Sequence, residues 1–422
     1  MARHQPSPPR RARRRASRRP ARTTFAELVL GALPRERRGR ATIPGEDLAH
    51  LDYDAELALK QAALAKFWQK RGLDGVPEEL APSPRARGYR TTSKRRVELI
   101  GDRAYLFLGE RNAQPGMPTF VASSLEPDEH ADLFRLLQAK LSEPSFAVVA
   151  AHLNWLVLRG SYAERAVIFN VDDLFGPLVR ALKALARTLT DARPAVTAAY
   201  AYLDERGSDY YLESRRPGRS LDFKKLFGPE TLRVRHGDLS LGFHPTSFSQ
   251  INESAVPVLL ELAGELLAPS RGERLIDLYC GYGLFSLALA GRVRDVIGVD
   301  AAGASVAAAK DNARRLRRGA TRFLARRIAA ETVEQLPAAG PDEIVLLDPP
   351  RDGVERGVIE ALAARGPRGV LHVFCGVDEI PDALAAWQEG GYGVRRVAPV
   401  DLFPGTPHLE VLVYLDRSDG PA

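Results

Sequence analysis

Two hydrophobic periods alternate along this chain, and they mark where it changes character. Between Asp54 and Gly72, in "DAELALKQAALAKFWQKRG", apolar residues recur every three and four positions. That is the spacing of one helix face, and Gly72 stands where such a helix would end. The whole of residues 24–80 reads as helical. From about 98 to 235 short apolar runs appear between helical stretches. "AVIFNV" (Ala166 to Val171) and "AAYAYLDE" (Ala198 to Glu205) read as strands, and "GPLVRALKALARTL" (Gly176 to Leu189) as an amphipathic helix. This is the pattern of an α+β module.

After residue 240 the alternation becomes regular. "RLIDLYC" (Arg274 to Cys280), "DVIGVD" (Asp295 to Asp300), "DEIVLLDPP" (Asp342 to Pro350) and "GVLHVFCG" (Gly369 to Gly376) are short apolar strands. "VRRVAPVDLF" (Val394 to Phe403) and "HLEVLVYLD" (His408 to Asp416) follow. Ala-rich helical stretches separate the earlier ones, which predicts an α/β fold with a doubly wound, mostly parallel sheet. Only "PGTP" joins the last two strands, too short for a parallel crossover, so the pair is expected to be antiparallel. The expected organisation is an arm over 1–23, a helical and basic region over 24–97, a central α+β domain over 98–238 and the α/β domain over 239–422.

Charge changes the picture mainly at the N-terminus. The net charge is +7, but residues 1–22 hold nine arginines and no acid, so the remainder carries −2. Rich in Pro and Arg, this arm is expected to be disordered. It reads equally as a polyphosphate-binding arm or as a solvated tail or overextended start. "PSPRARGYRTTSKRRVEL" (Pro82 to Leu99) holds six basic residues around Tyr89. It suits phosphate contact and base stacking, or equally a basic loop entering a solvated edge strand.

No stretch approaches the roughly 18 apolar residues of a membrane span. The two cysteines, Cys280 and Cys375, form no disulfide framework or zinc pattern and are too few to hold an iron–sulfur cluster. A reducing, cytoplasmic setting and a monomer without membrane association are the expectations.

The candidate chemistry gathers at the carboxyl ends of the α/β strands, where such sheets bind ligands. In "DLYCGYGLFSLALA" (Asp277 to Ala290), Gly281 and Gly283 let the backbone turn and approach a ligand. Asp300 ends the next strand, placed for ribose hydroxyls. The turn lacks the third glycine of a dinucleotide fingerprint. An adenosine ligand without a diphosphate, S-adenosylmethionine, fits better, with Asp277 toward its cationic end. Asp348 in "LLDPPRDG" (Leu346 to Gly353) points into the same crevice. Cys375 ends the next strand, and Glu410 begins the last. Taken singly, Cys375 reads as buried filler and Glu410 as a solvent-facing strand residue. Together with Asp348 they supply a thiol nucleophile, an acid/base and a ring-fixing group. C5 methylation of a uracil needs these three, because C5 becomes nucleophilic only after a thiolate adds to C6.

With these residues in order, the chain resembles the RNA (uracil-5-)-methyltransferase family, which modifies tRNA and ribosomal RNA. The matching stretches are "FHPTSFSQIN" (Phe243 to Asn252), the glycine turn, "LLDPPRDG", the Cys375 strand and "DLFPGTPHLEVL" (Asp401 to Leu412). "PSPRARGYR" is similar to an upstream family segment. The resemblance implies a Rossmann-like class I methyltransferase domain behind an RNA-recognition region. It implies Cys375 as nucleophile and Glu410 as proton acceptor, with RNA as the partner. It assigns Gln250, Tyr279, Asp300 and Asp348 to cofactor binding, beside Asp277, Gly281 and Gly283. Gln250, Asp348 and Arg351 fall to the substrate, and Cys280 is read as structural.

The chain also departs from that family. Cys375-Gly376-Val377 replaces the usual Cys-Asn-Pro, removing a polar group beside the reacting base. Leu284 stands where many members have a polar residue. "GEDLAHLDYDAELALKQ" (Gly45 to Gln61) falls where many carry four cysteines, and it has none. An N-terminal β-barrel module is not recognisable. Two other readings stay open: the same fold acting on another base or a small molecule, and a decayed relative that only binds RNA.

Overall fold

The computed structural model describes residues 23–41, 43–108, 121–205, 223–337 and 342–417, so the Arg-rich arm lies outside it. Helix α1 (Phe25–Ala32) starts on a capping box between Thr24 and Glu27. Helix α2 (Tyr53–Arg71) is capped by Asp52 and ends at Gly72, whose φ of 61° is the left-handed conformation expected of a glycine there. Segment 77–81 then runs along the edge of the C-terminal sheet, with Ala81 N donating to Pro399 O at 3.0 Å.

A six-stranded sheet follows. β1 (Ser93–Ile100) and β2 (Arg103–Phe107) form a hairpin. Helices α3 (Asp128–Leu141) and α4 (Ala147–His152) lead to β3 (Leu153–Gly160) and β4 (Arg165–Val171). Helix α5 (Gly176–Ala192) joins β4 to β5 (Val196–Leu203), and β6 (Phe223–Phe227) closes the order β2-β1-β3-β4-β5-β6. Only β4 and β5 are parallel among these pairs. One face buries leucines of α3 and α5. The opposite face meets a second hairpin, β7 (Leu232–His236) and β8 (Leu239–Phe243).

After helix α6 (Val256–Leu267) comes the α/β sheet expected from the sequence. Its elements are β9 (Arg274–Leu278), α7 (Leu284–Leu289), β10 (Asp295–Asp300), α8 (Gly303–Arg315), β11 (Thr321–Ala325) and α9 (Ala330–Glu334). β12 (Glu343–Leu347), α10 (Val358–Arg365), β13 (Gly369–Phe374), α11 (Ile380–Glu389), β14 (Tyr392–Val400) and β15 (Glu410–Arg417) complete it. The order is β11-β10-β9-β12-β13-β15-β14. β9 to β13 are parallel, and β15 lies antiparallel between β13 and β14. The short link between the last two strands thus has the predicted consequence. β11 and the β7–β8 hairpin are not evident from the sequence, because each of these strands is only five residues long. Among the described residues no helix is long and apolar enough to cross a membrane.

The basic stretch 82–99 is structural, which corrects the stacking expectation. Tyr89 is fully buried and its hydroxyl donates to Pro404 O at 3.0 Å, so its ring cannot receive a base. Arg87 reaches Glu56 and three backbone carbonyls of residues 48–51. Arg95 pairs with both oxygens of Glu126 inside the protein. Nor is β1 an edge strand, since it lies between β2 and β3.

A buried ion network fixes the loop before β15. Lys60 sits 2.8 Å from both Glu56 Oε1 and Asp401 Oδ1, and all three side chains are fully buried. Lys60 also donates to Phe403 O at 3.2 Å, and Gly405 N donates to Glu56. Removing the cation leaves two buried carboxylates without it. Lys60→Met is therefore expected to destabilise the fold by about 3–5 kcal/mol, read from denaturant unfolding. An unchanged midpoint and slope would show that the network is not buried as described.

Candidate active site

Five β-strand ends, those of β9, β10, β12, β13 and β15, build the site. The glycine turn after β9 comes first. Gly281 and Gly283 have φ of 52° and 88°. A β-carbon on Gly281 would meet nothing within 4 Å, whereas one on Gly283 would press on Leu287 and Ala309. The first glycine thus leaves open space at the turn, and the second lets α7 and α8 pack. Tyr279 also takes a left-handed conformation, φ 63°, unusual for a side chain of its size. Its hydroxyl donates a short hydrogen bond to Glu355.

Acids line this turn. Asp300 accepts from Gly281 N at 3.0 Å and from Ala302 N at 2.7 Å. Asp277 is fully buried below the turn. Its Oδ2 accepts from Ser286 N at 2.9 Å and from the Ser286 hydroxyl, and its Oδ1 has no hydrogen-bond partner among the described residues. Burial, reinforced by Asp300, pushes the Asp277 carboxyl up to about 7. Ser286, not the buried Leu284, is the polar residue of this turn. Cys280 packs against Gly298 of β10, where a β-carbon would lie 3.0 Å from its Sγ. That is the structural role expected of it.

The reaction side lies on the neighbouring strand ends. β13 and β15 pair Phe374 with Val411, so the same antiparallel register sets Cys375 opposite Glu410. On the other flank Cys375 Sγ lies 3.8 Å from Pro349 O, the residue after Asp348. Glu410 is 1% exposed and its Oε2 is unpartnered among the described residues. Burial and the Asp348 charge raise its proton affinity well above that of a free glutamate, and Arg351 opposes this. Asp348 rises to about 7 through burial, then Asp277 and Asp300. The Cys375 thiol is pushed up by burial, Glu410, Asp348 and Glu379, with Arg351 acting the other way. Exposed Arg351 carries its guanidinium 5.9 Å from the centre of the Phe403 ring. The structure thus gathers Asp348, Arg351, Cys375 and Glu410 beside the turn of Asp277, Tyr279, Gly281, Gly283 and Asp300.

Gln250 lies buried on the loop after β8. Arg159, buried in β3 of the other sheet, clamps that loop. It donates to Pro245 O at 3.1 Å, to Ser249 Oγ at 2.9 Å and to Ser247 O. Asn252 anchors the far end through Ser83 Oγ at 2.9 Å and Leu402 O at 3.0 Å. Neither residue was picked out as functional from the sequence. The one available signal was a lone arginine ending the apolar run "LNWLVLRG".

The model of the tRNA (uracil-5-)-methyltransferase family matches residues 163–338. That span includes Gln250, the glycine turn and Asp300. A curated relative, 23S rRNA (uracil(1939)-C(5))-methyltransferase RlmD of Azoarcus sp. (strain BH72), is 29% identical over 388 residues, covering 88% of this chain and 83% of that protein. The protein of the same name from Thiobacillus denitrificans is 28% identical over 379 residues, with the same two coverages. Over these residues the chain is similar to the RNA (uracil-5-)-methyltransferase family. A solved structure shares its fold, with a TM-score of 0.66 at 22% identity, covering 89% of this chain and 85% of that one. It is the Pyrococcus abyssi tRNA (uracil-54, C5)-methyltransferase in complex with S-adenosyl-L-homocysteine.

Burial of the Asp277 carboxyl makes stability depend on pH. Folding raises its carboxyl from 3.8 to about 7, so the folded chain holds that proton more tightly than the unfolded chain. The stability it contributes is complete below its unfolded value and is lost as pH rises through about 7. The neutral isostere Asp277→Asn is expected to raise the melting temperature at pH 8 and to change it little at pH 5. An equal shift at both pH values would contradict this.

Proposed function

We propose that the protein transfers a methyl group from S-adenosylmethionine to C5 of a uridine in structured RNA, through a covalent bond between Cys375 and C6. The observation that carries this reading is the register placing Cys375 opposite Glu410, with Asp348 one strand away. The curated relatives are 23S rRNA methyltransferases, which favours ribosomal RNA as the substrate.

The cofactor fits the residues present. Asp277 Oδ1 is a buried acceptor still open to a cation, Gly281 leaves room at the turn, and Asp300 is placed for a ribose. When bound, S-adenosylmethionine supplies an electrophilic methyl group on a sulfonium. Tyr279, Gln250 and the glycine turn hold and orient it.

The chain's own groups do the rest. The raised Cys375 thiol is protonated at neutral pH, so it must lose its proton as the uracil is bound. In this reading Asp348 takes that proton, sulfur bonds to C6, and the C5–C6 π pair moves to C5 and O4. The C5 pair then forms the new bond to the methyl carbon as that carbon's bond to sulfur breaks, and the broken bond's pair leaves on neutral S-adenosylhomocysteine. Glu410 removes the C5 proton, the C5–C6 double bond re-forms, and the C6–sulfur pair returns to Cys375. The thiolate recovers its proton from Asp348, and Glu410 releases its own to water. A buried carboxylate with raised proton affinity is a stronger base than one in water, which suits Glu410 to a carbon acid. Mapping 5-methyluridine in ribosomal and transfer RNA from a deletion strain tests the reading. One uridine should lose its methyl group and regain it on complementation. Unchanged 5-methyluridine at every site would overturn the reading.

A further inference from the structure

Gly376 follows the nucleophile, and its backbone gives no reason for a glycine. Its φ is −132°, ordinary extended backbone open to any residue. Space is the reason. A β-carbon on Gly376 would lie 2.8 Å from Glu379 Oε1, far inside contact distance. One on Gly353, in the Asp348 loop, would lie 3.3 Å from Glu379 Oε2. Glu379 thus folds its carboxyl back over two glycines, one from each loop that flanks Cys375.

The neighbouring acid behaves differently. Asp378 Oδ1 accepts from Phe25 N at 2.9 Å and is spent on the start of α1. The Glu379 backbone N donates to Gly376 O at 3.2 Å, but its carboxyl, only partly buried, has no hydrogen-bond or ion-pair partner among the described residues. Its proton affinity is raised to about 7 by burial and Asp352, with Arg351 opposing. A carboxyl in that range both donates and accepts at neutral pH. A pyrimidine bonded through C6 to Cys375 brings dehydrated N–H and carbonyl groups into this space, and they need partners.

We propose that Glu379 is a substrate-contacting residue, whose carboxyl occupies the space beside Cys375 that a side chain at position 376 would fill and pairs with the polar edge of the target pyrimidine. This rests on the reading of the site as a uracil methylase. It also accounts for Cys-Gly-Val: a glycine at 376 and a glutamate at 379 form one unit.

The test follows covalent adduct formation with 5-fluorouridine RNA and S-adenosylmethionine. Glu379→Ala should slow the adduct about tenfold, while RNA affinity stays within about twofold and the melting temperature holds. Glu379→Gln should recover much of that loss. Gly376→Asn alone should impair the reaction by collision with Glu379. The double variant Gly376→Asn/Glu379→Ala should outperform both single variants, because the new amide fills the vacated space. Adduct formation in Glu379→Ala at the wild-type rate, or a double variant no better than the worse single one, would overturn the proposal. A wild-type protein that forms no adduct would instead count against the methylase reading. Iodoacetamide separates the two, since Glu379→Gln should speed alkylation of Cys375 at pH 8 whatever the substrate. An unchanged alkylation rate would place the carboxyl away from the thiol and sink the proposal on its own.

Discussion

Cys375→Ala is expected to abolish methyl transfer to RNA, by about 10⁴-fold or more. The expectation rests on chemistry that has no second route here. C5 of uracil does not attack a sulfonium unaided, and the chain holds one other thiol, Cys280. Cys280, within the glycine turn, is buried with its sulfur against Gly298 of β10. Cys280→Ala should therefore keep most activity and lose only packing. Transfer of labelled methyl into RNA, measured with RNA and cofactor saturating, separates the two. Equal losses in both variants would point to a folding defect and against a nucleophilic role for Cys375.

Glu410→Gln should give a different failure. The thiol is intact and the methyl group is still transferred, but the C5 proton has no acceptor. Turnover is expected to fall by about 10²–10⁴-fold. A methylated RNA–protein adduct should accumulate on ordinary uridine RNA, where the wild type shows little. The wild-type rate should climb with pH as the carboxyls ionise, because Asp348 is raised to about 7 and Glu410 well above its ordinary value. This limb should disappear or shift in Glu410→Gln. Slow turnover with no trapped adduct would assign Glu410 to an earlier step.

The strand ends were legible because apolar runs stop abruptly at acids, glycines or a cysteine. Asp300, Asp348 and Cys375 each close such a run, and a doubly wound sheet brings those ends to one edge. Glu410 was legible as the start of the last strand, and the short link fixed that strand as antiparallel to β14, but its place beside β13, with Glu410 at the Cys375 end, came only with the sheet order. What could not be read were partners far apart in the chain. Arg87 looks like a phosphate ligand until Glu56 is seen beneath it, and Tyr89 looks like a stacking platform until Pro404 covers it. Arg159 acts on a loop about ninety residues away. Glu379 lies only three residues from Gly376, but its side chain's return toward the nucleophile carries no sequence period at all. Composition locates charge, whereas only packing decides whether that charge faces solvent, a substrate or another buried ion.

The stretch Gly45 to Gln61, which has no cysteine, supplies two members of the buried Glu56–Lys60–Asp401 network. It ties α2 to the loop that leads into Glu410, and Arg87 and Gly405 complete its bonding. Through Phe403, whose carbonyl Lys60 holds and whose ring lies near Arg351, this network reaches a cation that favours the Cys375 thiolate. The N-terminal helices therefore support the catalytic edge directly, although they contribute no residue to the chemistry.

The central claim is that Cys375 bonds to C6 of a uridine, and one measurement meets it directly. The protein is incubated with S-adenosylmethionine and 5-fluorouridine-substituted ribosomal RNA, then digested and analysed by mass spectrometry. The fluorine at C5 blocks proton removal, so the intermediate cannot break down. A methylated fluorouridine attached to the peptide containing Cys375 is the predicted result. RNA methylated at the normal rate with no adduct, or an adduct on any other residue, would contradict the account.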